Sequence, residues 1–274
     1  MNNFGYNLMR FLKRTRSATP VSFWILIICC VMWVAELIAP LIVNYLSFWP
    51  IYVSGEPWRF ITSGFLHSTA KSFGLPIPFH LFFNMWCLIS IGTLLEKYMG
   101  PKYFAALYGL CLLGGNVMYY AVAVISTNSA LSKSSAGLSQ STLNLLQNHW
   151  TPAYGASGAI FGLFGALVIV FKNLNMPTSG ILTTIAINLA LSLYVSGIAW
   201  QAHIGGLITG VIIAYLWHNP QKFRGLLSGK KRSKGGSFTN RDTVIWVRNT
   251  TIITILIFAI MIFSLSLMLG DLLG

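Results

Sequence analysis

The stretch from Val21 to Val43 carries a single charged residue, Glu36, and is apolar over most of its length. A bilayer's hydrocarbon core is about 30 Å thick, and an α-helix crosses it with about 20 consecutive apolar residues. The run is long enough to span, and similar runs recur down the chain. The expected spans are 21–43, 79–95, 102–125, 155–171, 180–198, 202–217 and 244–269, seven helices in all. Composition agrees, since 55% of the 274 residues are hydrophobic and 8% are charged, against about 25% charged in a soluble domain. The fold class is therefore all-α, a polytopic integral membrane protein. Arg10, Lys13, Arg14 and Arg16 precede the first run as they would in a signal peptide. The run is too long for that, and its Ala39-Pro40 step is a poor cleavage site, so it is read as a retained span.

The net charge of +13 does not mark a nucleic-acid binder, because the basic residues cluster at span ends, where they set topology. With the N-terminus cytoplasmic, the inner side receives Arg10, Lys13, Arg14, Arg16, Lys97, Lys102, Lys172 and all eight basic residues from Lys222 to Arg248. That is 15 of the 18, against Arg59, Lys71 and Lys133 outside. The basic linker "QKFRGLLSGKKRSKGGSFTNRD" suits contact with anionic headgroups. Two outer segments stand out. The aromatic loop over 45–80 has the composition of a membrane interface, and the serine-rich segment over 126–150 reads as a mobile loop. Cys29, Cys30, Cys87 and Cys111 fall inside apolar runs without metal spacing and read as buried small hydrophobes. The lack of a long soluble domain points to a prokaryotic plasma membrane.

Within this apolar frame three polar positions share one depth. In "YGASGAIFG", residues 154–162, Ser157 lies fifteen residues above Lys172, or roughly 22 Å at the rise of an α-helix. It opens its helix, where unpaired backbone N–H groups favour negative charge. His203 lies fifteen residues above His218 on a second helix running the same way. Gly158 and Gly162 form a small-residue ridge on the first helix, and Ala202, Gly206, Gly210 and Ala214 form one on the second. Such ridges let helix backbones approach closely in lipid, which would bring hydroxyl and imidazole together. In "HLFFNMW", His80 and Asn84 are four apart and share a helix face. They lie roughly 20 to 25 Å above Lys97, in the same layer.

Each position also has a plainer reading. Serine in a membrane helix is ordinarily packing or hydrogen-bond glue, and "GASGA" is not the nucleophile elbow, which places glycine two residues after the serine. Asn84 could satisfy a neighbouring backbone. Two intramembrane histidines could serve a metal, but no third ligand sits at their level with a recognised spacing, and H-E-x-x-H is absent. His67, His149 and His218 fall in loops or at span ends and read as interfacial. Glu96, beside Lys97, reads as a helix-end anchor, and Glu36 as structural. Asp242 is on the wrong side of the membrane and Asp271 at the extreme C-terminus, so hydrolysis here would run on a Ser–His dyad. A transporter is a further class, though no inverted repeat or paired broken helices are seen.

"GASG" opening one span, "AHIGGLITG" opening another, "HLFFN" upstream and "WR" in the first outer loop together resemble the rhomboid intramembrane serine proteases. The resemblance covers about residues 57–218. It implies a six-helix core with one added C-terminal helix. The parts would be a basic cytoplasmic N-terminus (1–20), the catalytic core (21–218), a basic linker (219–243) and a seventh transmembrane helix (244–274). It implies Ser157 as nucleophile, His203 as general base and then acid, and His80 and Asn84 at the oxyanion. Gly155, Gly158, Gly206 and Gly210 are supporting positions, and Trp58 and Arg59 a structural element of the first loop. Where members commonly carry a tyrosine to stack on the catalytic histidine, this chain has Phe161, which keeps the face and loses the hydroxyl. No metal or other cofactor is implied. The partners implied are single-span membrane proteins as substrates, reached through a gate at the fifth span and the loop "LYVSGIAWQ". A catalytically dead relative that only binds membrane clients is the alternative.

Overall fold

The computed structural model describes residues 17–69, 78–132, 150–195, 197–218 and 241–273. The basic segment 1–16, the stretch 70–77 with Lys71, the stretch 133–149 with Lys133 and His149, and the linker 219–240 lie outside the described residues. The orientation count and the linker's headgroup contact therefore remain expectations from sequence. The helices are α1 (Pro20–Ile38), α2 (Ile42–Leu46), α3 (Arg59–Thr62), α4 (Phe79–Met99), α5 (Pro101–Ser132), α6 (Ser157–Asn173), α7 (Ser179–Tyr194), α8 (Trp200–His218) and α9 (Arg241–Leu273). Among the described residues the one extended feature is an isolated antiparallel bridge between Phe48 and Ala153. Helices α1, α4, α5, α8 and α9 are long and apolar enough to cross a membrane, while α6 and α7 are shorter, with 17 and 16 residues.

Most boundaries fall within four residues of the expected spans, the fifth span ending at Tyr194 rather than 198, and two differ by more. The first helix stops at Ile38 instead of running to Val43, because Pro40 crowds Ala39 out of helical geometry, and Ala39 sits at φ −132°, ψ 77°. The chain re-forms as the short α2. The third span runs on past residue 125 to Ser132, into the serine-rich segment expected to be loop. No glycine or proline interrupts 126–132, and the Trp150 indole N–H donates to Thr127 Oγ1 at 2.8 Å, pinning the extension.

Helix termini carry four unpaired backbone groups each, and at α1 a remote residue supplies the partner. Pro20 occupies the first turn, where its missing N–H costs nothing. The Val21 and Ser22 N–H groups both donate to the Glu96 carboxylate at 2.8 Å, and the Ser22 hydroxyl adds a third bond at 2.7 Å. Glu96 is buried near the end of α4, so a negative charge meets the positive end of the α1 dipole. The expected helix-end anchor thus acts on a neighbouring helix. Helix α4 closes on Gly100, whose φ of 86° suits glycine, and Pro101 opens α5 directly.

Helix α6 is the centre of the bundle. Every residue from Gly158 to Val168 is buried, as expected of a helix apolar on all sides. It packs against α8 backbone to backbone. A Cβ on Gly206 would overlap the Gly158 carbonyl oxygen, and one on Gly210 the Gly162 carbonyl oxygen. On the other side, a Cβ on Gly115 of α5 would fall 2.8 Å from the Ala202 carbonyl oxygen. The two ridges read from sequence therefore face one another. Helix α7 lies at the edge of this core, with only Ile185 and Ser192 buried and Ile181 and Leu189 partly buried against it. Helix α9 rides along α5 and α8, held by Trp217 Nε1–H to Thr250 Oγ1 (3.0 Å), Trp246 Nε1–H to the Leu216 carbonyl (2.9 Å), and Tyr120 with Ser266 (3.1 Å).

The first loop is built around Arg59, which is buried. Its guanidinium donates to the carbonyls of Asn44 (2.8 Å) and Ser47 (2.7 Å), pairs with Glu56 and lies over the Tyr52 ring at 5.5 Å. Trp58 is half-exposed and donates to the Tyr45 carbonyl at 3.3 Å. The Phe48–Ala153 bridge and a bond from Gly155 N–H to the Ser63 carbonyl (2.9 Å) tie this loop to the segment that delivers Ser157.

Candidate active site

Ser157 is the first residue of α6, so its Oγ stands beside helical N–H groups that have no partner within the helix. The close α6–α8 contact sets His203 opposite. His203 Nε2 and Ser157 Oγ are 2.8 Å apart; His203 is buried and Ser157 half-buried. The Phe161 ring, one turn below Ser157, stacks on the imidazole with centroids 4.3 Å apart and planes 14° from parallel. The imidazole is held from its far side as well, since Nδ1 lies 2.7 Å from the hydroxyl of Ser192 on α7.

His80 approaches from α4. Its Nδ1 accepts the Ser68 backbone N–H at 3.3 Å, which leaves the ring proton of the neutral form on Nε2. That edge faces Gly155. A Cβ on Gly155 would lie 2.8 Å from His80 Cε1, 3.1 Å from Nε2 and 3.7 Å from Ser157 Oγ. Gly155 also has φ 134°, a conformation that L side chains rarely adopt. The absent side chain therefore opens the space between His80 and Ser157. Asn84, one turn on, is buried and donates one amide N–H to the His80 carbonyl at 2.8 Å. This is the backbone-satisfying arrangement that the sequence left open, and the amide's second N–H remains.

His67 is the clear departure. It was expected at the interface, yet it is fully buried, its ring 5.1 Å from that of His80. Glu36 of α1 is the cause, since its Oε1 accepts the His67 N–H at 3.0 Å, while the Trp33 indole donates to the neighbouring Ser68 carbonyl at 3.2 Å. Together they draw the loop beneath the surface behind His80. Burial, with His80 beside it, pushes the His67 pKa down to about 3, so the ring is neutral at pH 7. His218, by contrast, stacks on Tyr98 at the end of α8, as a span-end residue would.

Ser157, His203, Phe161, His80, Gly155, Gly158 and Gly206 thus converge, with Asn84 one turn from His80 and Gly210 one turn further down the same helix contact. Trp58 and Arg59 stand apart in the loop scaffold. Ser192 and the Glu36–His67 pair were missed as site neighbours, although an ionisable residue within a span was itself a signal for Glu36. Among the described residues, no three His, Cys, Asp or Glu side chains gather as a metal-ligand set. The geometry supports proton transfer between a hydroxyl and an imidazole in a helix-lined layer.

Fold and site define a class, that of all-α polytopic membrane proteins with a half-buried serine facing a buried histidine. The Rhomboid domain model matches residues 54–220, more than half of the chain, and the chain belongs to the rhomboid family. At the level of the family, this is a membrane-embedded group of serine proteases that act on transmembrane proteins. The chain is 32% identical to the Rhomboid protease GluP of Bacillus subtilis over 169 residues, covering 60% of this chain and 27% of GluP. It is 30% identical to the mitochondrial RHOMBOID-like protein 6 of Arabidopsis thaliana over 179 residues, 61% of this chain and 46% of that one. It is 31% identical over 118 residues to Inactive RHOMBOID-like protein 8 of the same plant, 42% of this chain and 31% of that one. The chain thus spans between about a quarter and a half of these relatives' length.

Proposed function

We propose that this chain is an active intramembrane serine endopeptidase that cuts transmembrane segments of single-span proteins near the outer leaflet, with its N-terminus cytoplasmic and residues 21–218 as the catalytic unit. The single observation that carries the reading is the 2.8 Å contact between Ser157 Oγ and His203 Nε2. The Ser157 oxygen attacks the scissile carbonyl carbon as its proton passes to Nε2. The resulting oxyanion is held by the Ser157 N–H and His80 Nε2–H, with the second amide N–H of Asn84 as a further donor. Losing one such donor costs about 3–4 kcal/mol of transition-state stabilisation. The C–N bond then breaks and the leaving amine takes the proton from Nε2. A water next attacks the acyl-enzyme, gives its own proton to Nε2, and that proton returns to the Ser157 oxygen as the acid product leaves.

A spanning helix hides its carbonyls in its own hydrogen bonds. Substrates must therefore unwind locally, which glycine, proline and other small residues ease. The reading favours activity over client binding alone because both members of the pair are present and in contact. The test is co-expression with a panel of tagged single-span proteins, comparing wild type with Ser157→Ala. Cleavage by the wild type alone supports the proposal, and identical patterns from both forms overturn it.

A further inference from the structure

Counting protons around Ser192 leads past the serine–histidine pair. The Ser192 hydroxyl lies 2.7 Å from two partners, the Asn188 carbonyl oxygen one turn back on α7 and His203 Nδ1. A hydroxyl has one proton and two lone pairs, and a carbonyl oxygen can only accept. The proton must therefore point at Asn188, because any other orientation sets two oxygen lone pairs against each other at hydrogen-bond distance. Ser192 then has only a lone pair to offer Nδ1, so Nδ1 carries the imidazole proton. Nε2 is left as a bare acceptor 2.8 Å from Ser157 Oγ, the protonation state a general base needs. The bonds run in one direction, from Ser157 O–H through the imidazole to Ser192 O–H and Asn188, an arrangement in which each bond polarises the next.

The position of Ser192 adds a second consequence. It sits two residues from the end of α7, and of that helix only Ser192 and Ile185 are buried, while Leu182, Ile187, Leu191, Leu193 and Tyr194 are exposed. The contact with His203 is thus one of few buried contacts of a peripheral helix, which otherwise rests on Ile185 and the partly buried Ile181 and Leu189. Any outward displacement of α7 removes the acceptor from Nδ1 and frees the ring to adopt the opposite tautomer, which cannot take the Ser157 proton.

We propose that Ser192 is a positioning residue that fixes the tautomer of His203, so that the base is armed only while α7 is seated. This rests on the protease reading above.

The experiment uses the full-length protein with 15N-labelled histidine, a tagged transmembrane substrate and a fluorophosphonate probe. Wild type should show His203 with its proton on Nδ1. Ser192→Ala should show mixed tautomers and a fall in kcat of about three- to tenfold, the size of one lost hydrogen bond, with KM unchanged. Ser192→Thr, which restores a hydroxyl, should recover both readouts. Ser192→Cys, similar in volume and a poor acceptor, should behave as Ser192→Ala and serves if the alanine form does not fold. Ile185→Ala, which removes the other fully buried side chain of α7, should lower kcat in the wild type and add little in the Ser192→Ala background. Wild-type tautomer and kcat in Ser192→Ala, or independent effects of the two substitutions, would overturn the inference. The tautomer is read on the resting protein, so a wild type that neither cuts nor labels would remove the protease reading while leaving the Nδ1 assignment to its own result.

Discussion

Gly155→Ala is the substitution whose consequence follows most directly from the coordinates. The new Cβ would lie 2.8 Å from His80 Cε1, where carbon atoms ordinarily approach to about 3.5 Å. The imidazole must therefore retreat by roughly 0.7 Å, the difference between these distances. The backbone at φ 134° adds strain of about 1–3 kcal/mol for a residue with a side chain. A catalytic group misplaced by about 1 Å loses on the order of a hundredfold in rate, so kcat should fall by about two orders of magnitude while KM changes little. Purified protein in detergent, assayed for cleavage of a fluorogenic transmembrane substrate, reads both constants, and Ser157 labelling reports whether the pair itself survives. In a double-mutant cycle, Gly155→Ala should cost almost nothing further once His80 is alanine. Gly180→Ala, where a Cβ meets open space, is the control that should match wild type. Wild-type kcat in Gly155→Ala, or full additivity with His80→Ala, would refute the placing of His80 at the oxyanion.

Three further outcomes are expected. Phe161→Ala removes a stacking contact worth about 0.5–1.5 kcal/mol and should lower kcat by up to tenfold, while Phe161→Tyr stays active, both read in the same cleavage assay. Glu96→Gln deprives the α1 terminus of its charge and of one acceptor oxygen, which should cost about 2–4 kcal/mol of stability, seen as a lower Tm in detergent. His67 is neutral when folded, with a pKa of about 3, and takes up a proton below about pH 6.5 when unfolded. Stability should therefore fall as pH drops from 6 towards 3, by up to about 1.4 kcal/mol per unit. His67→Gln should flatten that part of the pH–Tm curve, and an unchanged slope would remove His67 as its cause.

Much of the layer that holds Ser157 and His203 was readable in the sequence because membrane helices run nearly straight between fixed boundaries. Equal offsets of Ser157 and His203 from their inner ends gave equal depth, and the glycine ridges of α6 and α8 gave adjacency. The stacking of Phe161 on His203 was expected from the resemblance to the rhomboid family. What stayed hidden depends on contacts between elements far apart in sequence. Ser192 is an ordinary serine on an apolar helix until α7 is docked beside α8. Glu96 acts on the first turn of α1, at Ser22 and Val21, 74 and 75 positions earlier. His67 looked interfacial because nothing local shows that Glu36 and Trp33 pull its loop inward. The break after Ile38 was written in Pro40, and the apolar run simply continued through it.

The central claim is that Ser157 is a nucleophile armed by His203. The direct measurement is labelling of the purified protein with a fluorophosphonate, with the adduct located by peptide mass spectrometry. The account predicts one covalent adduct on Ser157, abolished in Ser157→Ala and lost or greatly slowed in His203→Ala. A wild type that takes no label, or takes it elsewhere with Ser157→Ala unaffected, would contradict it.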